Sequence, residues 1–401
     1  MNLEYSEDVL AFRDELREFL EGWPLTGDEA KLALEEQRRL FRERGIERGY
    51  VYRDMPKKFG GSEQPSDAVR DRIVKEEYLA ANAPGGLIGQ GPGMLAPTLM
   101  EFGTPEQQER FIPPTLAGDM RWCQGYSEPG AGSDLASLQS RADLVGDEWV
   151  INGHKIWTTT AHEADYMFGL FRTEPDASKH AGISYLLLDM KAPGIEVRPL
   201  KEMTGAAMFN EVFFTDVRAP ADHIVGKRGE GWQVSRATLK HERNLIGDPN
   251  AMHRAFRNLI DLARRTKRGG RPAIEDPSVR QRLAEIEGYL LCQEFTGSRM
   301  FTAGARGDHA GVVMPMMMMK LYGTDLQQLL TRAACDLVGD GFLLAPTVEE
   351  GSHGGPQGTD GAWVSSYMNA IAVSIAGGAS NIQRNIIGER ALGLPRDLRS
   401  A

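Results

Sequence analysis

The sequence predicts an α+β chain laid out as three consecutive segments, helical, then β, then helical. Apolar residues recur at helical spacing between charges from Ser6 to Gly45, and again from Gln233 onward. Between about Met120 and Gly226 they give way to short β-branched and aromatic runs separated by turn residues. These changes of texture place the boundaries at 1–120, 121–226 and 227–401. No internal repeat crosses them. The 401 residues, 41% of them hydrophobic, suffice for two or three compact units with a real core.

In the first segment Val9, Leu10, Phe12, Leu16, Phe19 and Leu20, then Leu32, Leu34, Leu40 and Phe41, mark two amphipathic helices broken near Trp23-Pro24. Gly49 to Pro65 reads as a loop containing the Phe59-Gly60-Gly61 turn, and Ser66 to Ala83 returns to helix. The run from Ala83 to Gly93 is too glycine-rich for a helix core, so the next helix is expected over Met94 to Phe102.

The β segment opens on Ser127-Glu128-Pro129-Gly130-Ala131-Gly132-Ser133-Asp134, a turn of small and hydroxyl residues that lets backbone N–H groups approach a ligand. Glu128 and Asp134 fit the role of turn-capping residues. Glu148 to Trp157 reads as a β-hairpin turning at Asn152-Gly153, which brings Trp157 and the hydroxyls of Thr158 to Thr160 close to that turn. Further strands are expected over Tyr166–Phe171, Ile183–Leu188, Ile195–Val197 and Glu211–Phe214, as a small antiparallel barrel or sandwich. After Gly229-Glu230-Gly231-Trp232, helices are expected over Gln233–Leu245, Met252–Arg265, Asp276–Thr302, Pro315–Leu337 and Ala362–Arg390. Pro346 to Gly361, with Ser352-His353, reads as a surface connection. The methionines of Met314 to Met319 read as core filler.

Composition excludes several function classes. A formal net charge of -10 argues against a nucleic-acid binder, and any anionic ligand must be met by local basic residues. The acidic amphipathic N-terminus is unlike a signal or transit peptide, and no apolar run reaches spanning length, so neither secretion nor membrane insertion is expected. Cys123, Cys292 and Cys335 have no metal-like spacing and an odd count, which favours a reduced, cytoplasmic setting with the thiols buried. His154, His162, His241 and His353 form no metal-like constellation. Gly130-x-Gly132 is not a dinucleotide fingerprint, because Leu135 stands where the third glycine belongs.

Taken together, the motifs resemble the acyl-CoA dehydrogenase family over nearly the whole chain. They are Pro56-Lys57-Lys58-Phe59-Gly60-Gly61, Phe102 to Gln108, the Ser127–Asp134 turn, the Glu148–Trp157 stretch, Val212 to Pro220 and Ile382-Gln383-Arg384-Asn385-Ile386-Ile387. The resemblance implies a helical N-terminal domain, a middle antiparallel β-barrel and a C-terminal four-helix bundle. It also implies FAD-dependent desaturation of an acyl-CoA to a trans-2-enoyl-CoA, electrons passing to an electron-transfer flavoprotein, and a homo- or heterotetramer. On that reading the missing side chains of Ala83–Gly93 leave room for a bulky acyl group.

Desaturation next to a thioester carbonyl needs a base for the α-proton, a hydride acceptor for the β-hydrogen, and hydrogen bonds to the carbonyl. Most of the family carries the base as a glutamate where this chain has Gly377, in Gly377-Gly378-Ala379-Ser380-Asn381-Ile382-Gln383-Arg384. One branch, including isovaleryl and long-chain enzymes, carries it on a bundle helix before an arginine, which here is Glu242 before Arg243. The resemblance therefore assigns the base to Glu242, with Arg243 supporting it at the substrate. It assigns Tyr126, Ser127, Trp157 and Thr159 to the flavin, and Ser133 to the pyrophosphate or the CoA.

The cross-subunit half of the family's flavin site is altered. Arg264 to Pro272 lacks the family's phenylalanine, Cys335 replaces a glutamine before Asp336 to Gly341, and Ala379 and Asn381 replace the usual Thr and Gln. Arg268 and Arg271 are the replacement phosphate contacts the stretch offers. The pattern resembles a bacterial branch acting on bulky acyl-CoAs, including steroid side chains, some as heterotetramers of two unlike chains. Two other readings stay open: a subunit that completes a partner's flavin site, and a flavoenzyme of changed chemistry, such as an oxidase or a sulfinate-eliminating enzyme.

Overall fold

The computed structural model describes residues 5–245, 249–343, 346 and 359–395; the side chains of 242–245, 249–251, 305, 309 and 310 lie outside that description. The chain forms two compact units, Met1–Arg121 and Trp122–Ala401.

The first unit is helical: α1 (Glu7–Leu20), α2 (Leu34–Glu47), α3 (Ala68–Ala80), α4 (Ala96–Phe102) and α5 (Pro105–Ala117). Leu16, Leu20, Phe41, Ile73 and Tyr78 share one core, so most of each helical stripe read from the sequence faces inward, while Leu10 and Leu34 of those stripes are exposed. Local chemistry starts the helices. The Asp67 carboxylate accepts from the N–H groups of Val69 and Arg70, and Thr104 with Gln107 forms a capping box ahead of Pro105. The helix expected from Met94 begins earlier, as a π-helical turn over Gly91–Leu95 that runs into α4. Pro97 has no N–H to complete the regular ladder there, which favours the wider turn.

The second unit opens on an eight-stranded sheet: β1 (Trp122–Gly125), β2 (Arg141–Val145), β3 (Glu148–Lys155), β4 (Tyr166–Arg172), β5 (Ile183–Asp189), β6 (Ile195–Leu200), β7 (Phe209–Pro220) and β8 (Ile224–Val225). The order is β6-β7-β3-β2-β4-β5-β8, with β1 on β4. The expected middle β domain is present, and two details distinguish it from a closed, wholly antiparallel barrel. Among the described residues no ladder joins β6 to β8, and β4 pairs in parallel with β1 and with the start of β2. The two-residue β8 is too short to close the sheet, and β6 is an edge guarded by the outward pair Glu196–Arg198.

The hairpin is also relocated. It joins β2 to β3 through Gly146-Asp147, while Asn152-Gly153 lies inside β3. There β7 carries an extra residue, and the Asn152 side chain closes the resulting bulge: its Nδ2 donates to Asp216 Oδ1 at 3.0 Å, and Asp216 N–H donates to its Oδ1 at 3.0 Å. Gly153 passes so close to β2's approach that a Cβ would sit 2.2 Å from Ser140 Oγ and 2.7 Å from Ser140 Cα.

The remaining elements are α6 (Gly231–Leu245), α7 (Pro249–Arg265), the small hairpin β9 (Lys267–Arg268) and β10 (Arg271–Pro272), α8 (Pro277–Ala305), α9 (His309–Val338), α10 (Asp360–Val373) and α11 (Ser380–Ile386). Helix α6 packs on β5. Helices α7 to α10 share one core through Leu259, Leu262, Ile286, Leu290, Leu330, Ala334 and Trp363, a four-helix bundle. The single helix expected over Ala362–Arg390 is broken between α10 and α11, where Gly377 and Gly378 take φ of 61° and 97°. The Met314–Met319 run is not core: Met314 is 38% and Met318 42% exposed. Of the three thiols only Cys123 is buried; Cys335 is half-buried and Cys292 exposed. The connection expected over Pro346–Gly361, with Ser352 and His353, falls almost wholly outside the described residues.

Candidate active site

Two segments meet where β1 leaves the sheet and β3 ends. Ile156 N–H donates to Ser127 O at 2.9 Å, joining the Tyr126–Asp134 turn to the Trp157–Thr160 run. Strand alternation puts Ile151, Gly153 and Lys155 on the inner face of β3, so Lys155 is driven fully inside. Its Nζ donates to Tyr126 O at 3.1 Å and Glu128 Oε1 at 2.7 Å, and lies 5.1 Å from the Phe171 ring centroid. The Glu128 carboxylate also accepts from Gln139 N–H at 2.7 Å and Ser140 N–H at 2.9 Å. One buried ion pair therefore ties both ends of the glycine-rich turn to β3.

Burial would raise the Glu128 carboxyl, but the Lys155 ammonium and the hydrogen bonds outweigh it and hold the group below its ordinary range. Complete burial pushes the Lys155 ammonium down to about 8, with Glu128 opposing the shift. At neutral pH both partners are charged. The capping role read for Glu128 is thus met from inside the protein, where its partner is a lysine 27 residues away.

The Trp157–Thr160 run is strained. Trp157 and Thr160 take φ of 60° and 55°, a left-handed conformation that costs a non-glycine residue ~1–3 kcal/mol and persists only where surroundings enforce it. The enforcement comes from β7. Thr158 and Asn210 exchange backbone hydrogen bonds at 3.0 Å, Asn210 Nδ2 donates to Thr158 O at 2.9 Å and Met208 O at 3.2 Å, and Thr160 N–H donates to Met208 O at 2.7 Å. Asn210 Oδ1 also lies 3.1 Å from His162 Nδ1. Asn210 is fully buried, and sequence reasoning missed it because nothing local distinguishes an asparagine at a strand start.

The strained run presents an aromatic platform. The Trp157 ring is 59% exposed, its edge set against Phe209 at 6.0 Å and 85°. Thr159 beside it is half-buried, Ser127 half-buried and Ser133 exposed. At Gly130 and Gly132 a Cβ would meet nothing within 4 Å, so the crest of the turn is open. An exposed ring, neighbouring hydroxyls and an open glycine crest fit a flat conjugated ring system with a phosphate-bearing tail. A cleft of about 440 Å³ lies on the other flank of the turn, against Gln139, Ser140 and His154, and does not include Trp157 or Thr159.

Tyr126 is buried, edge-on to Phe168 and Tyr185. Tyr185, whose phenol burial pushes far above its usual range, accepts from Thr238 Oγ1 on α6 at 3.4 Å. Position 242 lies one helical turn beyond Thr238 on the same face of α6. The side chains of Glu242 and Arg243 lie outside the described residues. Arg268 and Arg271 are exposed on the β9–β10 hairpin, and Arg268 Nη2 donates to Asp336 O at 2.7 Å. That bond brings the two altered segments, 264–272 and 335–341, together. Among the described residues no hydrogen bond or ion pair joins either arginine to the Tyr126–Thr160 group, and no side-chain cluster could hold a metal ion. Gly377 sits in the turn before α11, beside Gly378, whose carbonyl accepts from Lys320 Nζ at 2.7 Å.

Comparison with known proteins agrees with the architecture. Three family models match in order: "Acyl-CoA dehydrogenase, N-terminal domain" over residues 6–119, "middle domain" over 123–217 and "C-terminal domain" over 229–392. The chain is 39% identical to the acyl-CoA dehydrogenase IpdE1 of Mycobacterium tuberculosis over 368 residues, 90% of this chain and 89% of that one. Among solved structures it resembles a chain of the ChsE4-ChsE5 complex from Mycobacterium tuberculosis, with TM-score 0.77, 29% identity, and coverage of 99% of this chain and 100% of that one. A structure described as the Tcur3481-Tcur3483 steroid ACAD matches with TM-score 0.77 and 27% identity, covering 99% and 100%. No helix among the described residues is long and apolar enough to cross a membrane.

Proposed function

This chain belongs to the acyl-CoA dehydrogenase family and is an oxidoreductase acting on an acyl-CoA, and on that premise we propose that it forms a trans-2-enoyl-CoA with FAD as cofactor and Glu242 as base. The observation that carries the reading is the exposed, strained Trp157 platform, pinned by Asn210 and joined through Ser127 to the open glycine turn. FAD, when bound, supplies the acceptor for the hydride leaving the third carbon.

The chain's own residues do the rest. The Glu242 carboxylate takes the proton from the second carbon, Arg243 supports it, and hydrogen-bond donors stabilise the charge developing on the thioester oxygen. Trp157 packs on the ring system, Thr159 and Ser127 bond its polar edge, Tyr126 buttresses the wall, and Ser133 meets a phosphate. Arg268 and Arg271 serve the adenine half in place of the missing family residues. What supports Glu242 is its place on α6, one turn past the Thr238–Tyr185–Tyr126 contact, together with a glycine where the customary base would stand.

The substrate acyl group is bulky, of the steroid-derived class, and the assembly is a homo- or heterotetramer that passes electrons to an electron-transfer flavoprotein in the cytoplasm. The similar structures described as a steroid enzyme and as a two-chain complex support the first two statements. A second reading, a subunit completing a partner's flavin site, is favoured by Gly377, Cys335 and the loss of the phenylalanine from 264–272.

Spectral titration of the purified protein against an acyl-CoA panel tests the proposal. The protein is expected to be yellow and to bleach anaerobically with a matching thioester, and Glu242→Gln to bind flavin and ligand but lose flavin reduction by several orders of magnitude. A colourless chain that turns yellow only when co-expressed with a second homologue would establish the second reading instead. Product mass, a loss of two hydrogens against loss of a leaving group, separates desaturation from changed chemistry.

A further inference from the structure

Asn210 meets the strained run at both ends. Its backbone and Nδ2 hold Thr158, and its Oδ1 lies 3.1 Å from Nδ1 of His162, two residues past Thr160. His162 stands on the short turn Ala161–Glu163, which starts from left-handed Thr160 and is closed by Glu163 N–H donating to Thr160 O at 3.0 Å. Ala161 is buried, so the turn is anchored beside β7. The segment from Thr158 to His162 is thereby closed into a loop around one side chain.

The hydrogen bonds fix which atom donates. Asn210 Nδ2 faces two carbonyls, Thr158 O at 2.9 Å and Met208 O at 3.2 Å, and carbonyls only accept, so the amide cannot be reversed. Oδ1 is then the atom that faces His162, and as an acceptor it requires a proton on His162 Nδ1. That donor is present on the Nδ1–H tautomer and on the imidazolium alike. The other ring nitrogen, Nε2, lies 3.6 Å from Glu163 Oε1, too far for a hydrogen bond, so the contact with Asn210 is what orients the ring. Asn210 is fully buried while the His162 side chain is 32% exposed, and among the described residues no other donor reaches Asn210 Oδ1. Taking the imidazole away therefore strands a buried acceptor.

We propose that His162 is a positioning residue for the wall that faces the flavin: its Nδ1–H holds Asn210 Oδ1, and through Asn210 it keeps Trp157 and Thr159 in their observed conformation. A wall on which a planar ligand packs must be held to within ~0.5 Å, which takes a second layer of hydrogen bonds behind the groups in contact. His162 belongs to that layer and is assigned no contact with flavin or substrate. The inference rests on the FAD reading above for what the wall faces, whereas the hold on the run is a property of the chain alone.

Three substitutions separate a donor at Nδ1 from the bulk of the ring. In His162→Asn the amide nitrogen lies as many bonds from Cβ as Nδ1 does, in His162→Gln it lies as many as Nε2 does, and His162→Leu has no donor. Backbone amide exchange at Thr158 and Thr160, measured on the flavin-free full-length chain, is expected to quicken about tenfold or more in His162→Leu and His162→Gln and to stay within about threefold of wild type in His162→Asn. Titration with FAD, followed by fluorescence quenching, should rank the proteins the same way, with the dissociation constant raised about tenfold in His162→Leu and His162→Gln. Amides in β4 and β5 should exchange as in wild type, which excludes general loosening of the sheet. Unchanged exchange in His162→Leu overturns the proposal, as does a His162→Asn chain that behaves like His162→Leu, or an equal affinity for FAD in all four proteins. If the exchange ranking holds while the wild type binds no FAD, the hold by His162 stands and the cofactor reading fails.

Discussion

Lys155 keeps its charge in the interior because Tyr126 O, the Glu128 carboxylate and the Phe171 ring converge on it. Removing one partner of such a pair leaves a buried charge uncompensated, so Glu128→Gln should lower unfolding free energy by ~3–5 kcal/mol in urea titration. Replacing both, as Glu128→Leu with Lys155→Met, should recover only part of that loss: an apolar pair removes the desolvation of two charges, but it leaves the Gln139 and Ser140 N–H groups without their acceptor and Tyr126 O without its donor. The pH dependence has a definite sign. Glu128 titrates in the folded protein below its ordinary 4.5, so its contribution is complete above that value and is lost as pH falls through the lower folded value. Wild-type and Glu128→Gln stabilities should therefore converge at acid pH, with the gap fully open near neutrality. Trp157 gives the opposite signature. Trp157→Gly should leave the urea midpoint unchanged or raise stability by up to about 1 kcal/mol, because glycine is at ease at a positive φ, while flavin retention on gel filtration falls.

At the scale of elements, the bulge between β3 and β7 and the clamp at Asn210 aim the platform. Asn210→Ala removes donors to two carbonyls and the bond to His162, and should cost ~2–4 kcal/mol while freeing the Trp157–Thr160 run, seen as faster amide exchange at Thr158 and Thr160. Gly153→Ala forces a methyl against Ser140 and should cost ~1–3 kcal/mol by chemical denaturation. The same elements show what was readable beforehand. Asn152-Gly153 carries a strong hairpin signal, but the partner that uses it is Asp216 on β7, 64 residues away, so the pair closes a bulge and the turn falls at Gly146-Asp147. Hydrophobic period located the helices, yet could not place the break before α11, which depends on two left-handed glycines.

For the whole molecule, the net charge of -10 opposes the long-range approach of an anionic CoA ester, whatever groups meet it at the site. Stopped-flow association with an acyl-CoA should therefore speed up modestly, by less than about tenfold, as salt rises from low to physiological strength; steered binding would slow instead. The order of helical, β and helical segments was determined by the sequence alone, because periodicity and turn chemistry are properties of neighbours along the chain, and the resemblance of its motifs pointed to the family and to the Ser127–Asp134 and Trp157–Thr160 segments as the candidate site. Only the tertiary structure decided that the sheet stays open, that Glu128 reaches Lys155, and that Asn210 holds the strained tryptophan and meets His162. Each of those joins residues distant in sequence or depends on which edges are left without a neighbour, and burial, which sets their energies, exists only once the chain has packed.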